Sequence, residues 1–262
     1  VLKNKLGFGL RGISIWGCHG IEFEEVHFEK ISEYCFYGIN FTAKVKSCKM
    51  QESLQGFRSE ATMPNVQTES ETKIENSTFL RNKSDIFCLA SPNMVYGYRI
   101  LNNNQFTGKF PLQPSQNNTG IFISGESKFT IQGNLFSDKI FSIRATSCGS
   151  NKNQIDCNNF ITHSPFGINA AFNNSGLTIL RNQFNSSAGT EISIQGNAAT
   201  IKGQIAGIQA SNDFRAAGNC FNDPVSAIGA AQATTEMFAY YIFKLSESPK
   251  FCEKPTNNLS DG

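Results

Sequence analysis

The sequence predicts an all-β chain, a right-handed parallel β-helix solenoid of about 8–9 coils with a C-terminal cap. Three observations predict it. A phrase of alternating apolar and polar residues, then small polar residues, then Phe recurs as LTILRNQF (177–184), FTIQGNLF (129–136), QIDCNNF (154–160) and FRAAGNCF (ending at Phe221). One column of that phrase holds Asn in five successive copies, and a second strand-like stretch follows nearly every copy.

Aligned on the closing residue, the anchors are Phe28, Met50, Phe79, Phe106, Phe136, Phe160, Phe184 and Phe221, spaced by 22, 29, 27, 30, 24, 24 and 37 residues. A loose period in the twenties means one supersecondary unit per repeat with insertions in its loops. Five residues before each anchor stands Phe23, Val45, Ile74, Leu101, Ile131, Ile155, Ile179 or Ala216, an apolar column. Two residues before it the column reads Val26, Cys48, Ser77, Asn104, Asn134, Asn158, Asn182 and Asn219. Asn tolerates the left-handed backbone of a sharp corner. Stacked on its copies about 4.8 Å away, its amide donates and accepts along the column. The phrase therefore reads as a strand, a corner, and a Phe that turns back inside.

The second strands are FYGINFTA (36–43), GFRS (56–59), IFCLA (86–90), GIFIS (120–124), IFSIRA (140–145), FGINAA (166–171) and EISIQ (191–195), each alternating with one apolar face. GLRGISIW (9–16) is of the same type and belongs to a coil that begins upstream. Leucine-rich repeats have a tighter, Leu-dominated period, and helical repeats need a 3.6-residue periodicity that is missing here. An antiparallel sandwich would not keep Asn in register. Stacking buries the Phe and Ile/Val/Leu columns at roughly 1.5–3 kcal/mol per side chain, in a rod on the order of 40 Å long.

After Phe221 the pattern breaks. Residues 1–235 are expected to form the solenoid and 236–262 a capping segment and the start of a linker. Cys220 and Cys252 would fasten that cap, closing a loop worth roughly 3–4 kcal/mol. Cys148 with Cys157 and Cys35 with Cys48 are the short-range disulfide candidates. Eight separated Cys without a C-x-x-C pair suit an oxidising compartment, so an extracellular or cell-surface location is expected. A set of buried free thiols is the alternative. Polar insertions at 59–72, 107–119 and after Phe184 read either as one binding face or as surface variation.

Composition limits function. Net charge is +2, with 17% charged residues and no run of Lys and Arg interleaved with aromatics, which excludes a nucleic-acid footprint. No apolar run reaches the roughly 18 residues of a spanning helix, and no signal-peptide pattern is present at the start. The six Asp residues are scattered, whereas glycoside hydrolysis needs paired carboxylates and a lyase needs acidic calcium ligands with a base. His19, within WGCHG, could act as a base, but without an acidic cluster beside it reads as a surface residue. Glu22 and Glu24 in IEFEEVHFEK share an outer face, either holding a cation or simply solvated. Catalytic, cofactor and metal residues are therefore expected to be none. Several N-x-S/T triplets occur in so Asn-rich a chain that they carry no inference of glycosylation.

The I-x-x-N-x-F phrases, GNCF at the end of the solenoid and the following F-x-Y-Y…C-x-x-P resemble the pectin-lyase-like β-helix regions of large secreted proteins of Bacteroidota, commonly exported by the type IX system. That resemblance implies a fold and a terminal cap rather than an activity. Two functions follow as expectations: a non-catalytic structural or adhesive module of a larger surface protein or fibrous appendage, or a polysaccharide-binding or polysaccharide-degrading enzyme. The partners expected are other copies of itself, neighbouring domains of the same long chain, and cell-surface glycans.

Overall fold

The computed structural model describes residues 2, 3, 11–62, 71–90, 96–109, 118–125, 127–162, 165–185, 189–196, 208–211, 215, 216, 219–221, 228–231, 239 and 240. Three parallel sheets of seven, nine and nine strands run along it. Each of the seven coils between Ile21 and Gln195 contributes one strand to each. The first sheet holds the strands that precede the Asn column, from Ile21–Glu24 to Leu177–Leu180. The second holds the short anchor strands, such as Gln105–Thr107 and Leu135–Ser137. The third holds the longer strands from Arg11–Trp16 through Tyr34–Ile39, Gln55–Ala61, Ser84–Ala90, Thr119–Ser124, Phe141–Thr146 and Phe166–Ala171 to Thr190–Gln195 and Ile228–Ala231. Parallel strands joined coil by coil in this order make a parallel β-helix.

All eight anchors pair in one register, Phe28 with Met50, Met50 with Phe79, and so on to Phe184 with Phe221. From Phe79 to Phe221 the rings stack face to face with centroids 5.0, 4.8, 5.1, 4.6 and 5.2 Å apart. The apolar column of the first sheet is likewise continuous from Phe23 to Ile179. It ends there. Ala216 does not extend it, because Arg215–Ala216 pairs antiparallel with Ile208–Ser211 in a small separate sheet. The insertion after Phe184 supplies its own strand partner, which spacing from the anchor does not reveal. FYGINFTA is also two strands, Tyr34–Ile39 and Ala43–Lys46, with a left-handed corner at Asn40 between them.

The Asn column is buried and closed on itself. Asn158 Oδ1 accepts from both the backbone N–H and Nδ2 of Asn134 at 3.0 Å, while its own Nδ2 donates to the Ile131 carbonyl at 2.9 Å and to Asn182 Oδ1 at 3.0 Å. Asn104 and Asn182 repeat the pattern towards Asn134 and Asn219, and Asn219 Nδ2 donates to the Ile179 carbonyl. Two donors and two acceptor sites are all used, which is why an inward amide is tolerated here. Towards the first coils Ser77 and Cys48 stand in the column: Ser77 N–H donates to Asn104 Oδ1, and Cys48 N–H to Ser77 Oγ.

The left-handed corner residue is not the ladder Asn but the residue before it. Glu25, Ser47, Asn76, Asn103, Gly133, Cys157 and Arg181 all have φ between 50° and 65°. The ladder holds these residues in a backbone conformation that side chains other than Gly and Asn ordinarily avoid.

The expected short disulfides do not form. Cys35, Cys48, Cys148 and Cys157 are free thiols, as are Cys18 and Cys88. Cys148 lies inside the core while Cys157 faces outward at a corner, and Cys35 lies in the strand Tyr34–Ile39 while Cys48 stands at the corner between Ala43–Lys46 and Lys49–Gln51, with separate partners, Ser53 Oγ for one and the Phe23 and Lys46 carbonyls for the other. Cys252, the expected partner of Cys220, and all of the capping segment except Ala239 and Tyr240 lie outside the described residues. Burial pushes the Cys35 thiol up to about 12 and the Cys148 thiol to about 11. A thiolate reagent is therefore expected to label Cys18 and Cys157 in the folded protein, and Cys35, Cys48, Cys88 and Cys148 only after unfolding. Peptide mapping after alkylation checks this, and rapid labelling of Cys148 in the native state would contradict the burial.

Candidate functional site

The sequence-predicted residues divide clearly. Asn104, Asn134, Asn158, Asn182 and Asn219 and the Phe anchors lie in the interior and hold the scaffold. The surface acids are neutralised by the next coil: Lys44 meets Glu22 at 3.4 Å and Lys46 meets Glu24 at 2.6 Å, because the two strands pair with those residues opposite one another. Lys46 holds the Glu24 carboxyl below its ordinary range through its hydrogen bond and its charge. His19 lies at an exposed corner, its Nδ1 3.4 Å from Thr42 Oγ1. Among the described residues no three His, Cys, Asp or Glu side chains converge as a metal site would require.

Two features carry chemistry that pattern alone did not expose. The first is on the outer face of the third sheet. Tyr37, Arg58, Phe87, Phe122 and Arg144 pair in succession over five coils. The Arg58 guanidinium lies 5.3 Å from the Tyr34 ring centroid and 4.8 Å from that of Phe87. Arg144 lies over Phe122 and Phe141, and Arg11 over Tyr34 and Tyr37. Phe87 and Phe122 stack at 4.7 Å, and Trp16, 59% exposed, edges onto Tyr37. Arg58 is held by Glu60 at 2.5 Å, but the Arg144 Nε has no hydrogen-bond acceptor among the described residues. A flat column of rings and guanidinium planes stacks on ring faces and pairs with anions.

The second feature is a corner between the anchor sheet and the third sheet. A cavity of about 460 Å³ there is lined by Glu52, Ser53, Arg81, Asn82, Lys83, Lys109 and Asn118. Arg81 and Glu52 pair at 2.6 Å. Just inside lie Asp85 and Lys139, an ion pair at 2.5 Å with both side chains fully buried. Burial pushes the Asp85 carboxyl up to about 6 despite the opposing pull of Lys139 and Asn82. A register signal was present in the sequence. Asp85 falls between Gly56 and Gly120, just after residues that pair across the coils, in a column of small residues. Lys139 follows its anchor by three residues, as Ser53 and Asn82 follow theirs, and that is an inward position.

Residues 11–184, two thirds of the chain, match the model of the right-handed β-helix region family. The chain belongs to that family, and its three stacked parallel sheets are those of a right-handed parallel β-helix. No curated protein and no solved structure matches it.

Proposed function

We propose that the chain is a non-catalytic structural and adhesive module of a larger extracellular protein or fibrous surface appendage, of the kind Bacteroidota export by the type IX route. It would carry neighbouring domains or further copies along its axis and hold acidic cell-surface glycans on one face. The Tyr37–Arg58–Phe87–Phe122–Arg144 column carries this reading. Sugar rings stack on aromatic faces, and carboxylate or sulfate groups pair with guanidinium groups, so a polymer with both fits a column offering both. The continuous Asn and Phe ladders supply the stiff rod on which such a face is displayed.

The test is titration of the purified chain with polygalacturonate and with heparin, with and without calcium, followed by sizing of the polymer. Binding that weakens with salt, and falls roughly tenfold or more in Arg58→Ala/Arg144→Ala, is expected, with polymer length unchanged. Equal affinity of the double variant would remove the column as the binding face. Shortened polymer would replace the adhesive reading with the polysaccharide-degrading one.

A further inference from the structure

Lys139, Asp85 and Asn82 form a buried cluster at the corner, with exposures of 0%, 0% and 3%. Asp85 bridges the other two. Its Oδ2 touches Lys139 Nζ at 2.5 Å, and its Oδ1 accepts from Asn82 Nδ2 at 3.0 Å. The Asn82 carbonyl oxygen accepts the backbone N–H of Ser53 at 3.0 Å. Lys139 does not belong to a neighbouring coil. It precedes Phe141–Thr146, and Thr119–Ser124 lies between that strand and Ser84–Ala90, so its side chain reaches back across a whole coil. The intervening coil turns this corner at Gly108, where an added Cβ would lie 1.6 Å from the Asp138 carbonyl oxygen. Only a residue without a side chain lets the coils close there.

The cluster is costly as an ion pair. Lys139 Nζ meets Asp85 closely but makes no aligned hydrogen bond, so its buried N–H groups are poorly satisfied. An amide would carry no charge and bury the same atoms.

We propose that Lys139 and Asn82 are joined by an intramolecular isopeptide bond, formed by the chain itself with Asp85 as the catalytic acid and base. Asp85 takes a proton from the Lys139 ammonium, and the neutral Nζ attacks Cγ of Asn82. Negative charge gathers on Asn82 Oδ1, which the Ser53 N–H already holds. Asp85 returns that proton to Nδ2, the Cγ–Nδ2 bond breaks and nitrogen leaves as ammonia, which departs as ammonium with the surplus proton that the attacking nitrogen sheds as it becomes an amide. Amine and carboxamide become secondary amide and ammonia, with no oxidant or co-reactant. A carboxyl raised to about 6 exchanges protons near neutral pH, as such a relay needs. The cavity that Ser53 and Asn82 line gives the ammonia a way out. The bond would fasten covalently three successive coils that hydrogen bonds already join at this corner, Arg81 N–H to the Thr107 carbonyl and Gly108 N–H to the Ser137 carbonyl among them.

The intact mass of the purified chain, fully unfolded and reduced, tests this directly. The expected mass is lower than that of the sequence by one ammonia. Trypsin should leave peptide 129–144 uncut after Lys139 and carrying the dipeptide Asn82-Lys83. Lys139→Arg and Asp85→Ala should keep the full mass. A wild-type chain of full mass would overturn the proposal. So would loss of one water with Lys139 joined to Asp85, which would make Asp85 the acyl group instead of the catalyst. Both readings come from the wild-type protein, so they stand even if a variant fails to fold.

Discussion

Asn158→Asp is expected to destabilise the solenoid by roughly 3–5 kcal/mol at neutral pH, and by less than half of that below about pH 4. The wild-type amide uses Nδ2 to donate to the Ile131 carbonyl and to Asn182 Oδ1. In the variant an oxygen faces both acceptors, and its charge is buried among amides and carbonyls. Burial raises the folded carboxyl above its unfolded value of about 3.9. The folded state then binds more protons than the unfolded one between those two values, so stability falls as pH rises through that window and levels off above it. Below the window the protonated acid restores one donor of the two. Asp85, raised in the parent protein as well, adds a slope of the same sign to both, so the difference between variant and parent is the quantity to read. Asn185→Asp is the control: Asn185 is exposed, its side chain bonds Gln183 and Asn159 at the surface while its backbone N–H, kept in the variant, donates to the Phe160 carbonyl, and its replacement should cost about 0.5 kcal/mol or less. Denaturant midpoints of both variants at pH 4 and pH 7 check the prediction, and equal small losses would mean that the column is not needed for stability.

Much of this fold is legible because the β-helix repeats one decision. A side chain seen to be apolar in eight copies is inside in all of them, so the anchors and the Phe23–Ile179 column could be set in register from spacing alone. The finer errors share a cause. A polar residue such as Asn153 is expected outside by its type, yet it is 1% exposed and its Oδ1 accepts the Phe129 N–H, because it stands two residues before the inward Ile155 and strand alternation puts both on one face. The left-handed corner was assigned to Asn by type, whereas the geometry places it one residue earlier and lets Glu25, Cys157 or Arg181 occupy it. Cysteine pairs proposed from nearness in sequence failed because nine or thirteen residues carry the chain around part of a coil, from inside to outside for Cys148 and Cys157, and from a third-sheet strand to the ladder corner for Cys35 and Cys48. Sites were the least legible. The Arg58–Phe87–Phe122–Arg144 column is invisible until third-sheet strands of unequal spacing are laid side by side, and Asp85 meets Lys139 only because a coil with an insertion lies between them.

Phe160→Ala is expected to cost on the order of 3–5 kcal/mol. The ring is fully buried and sits in the middle of the stack, 5.1 Å from Phe136 and 4.6 Å from Phe184, with planes within 10° and 4° of theirs. Truncation removes the transferred apolar area, both stacking contacts and leaves a void that the neighbouring rings cannot fill, since each is fixed by its own strand pairing, Leu135 with Asn159 and Asn159 with Gln183. In a solenoid each coil touches only its neighbours, so the loss should also be local. Hydrogen exchange is expected to rise first in the strands Leu135–Ser137, Asn159–Thr162 and Gln183–Phe184, with Thr78–Leu80 and Lys49–Gln51 little changed until global unfolding. Phe122→Ala, on the outer face of the third sheet, should cost less because its ring is only partly buried. Thermal unfolding followed with exchange mass spectrometry measures both. An unchanged melting temperature for Phe160→Ala would show that the ring stack does not hold the coils together, and exchange rising evenly along the chain would show that the coils unfold as one unit rather than through their nearest neighbours.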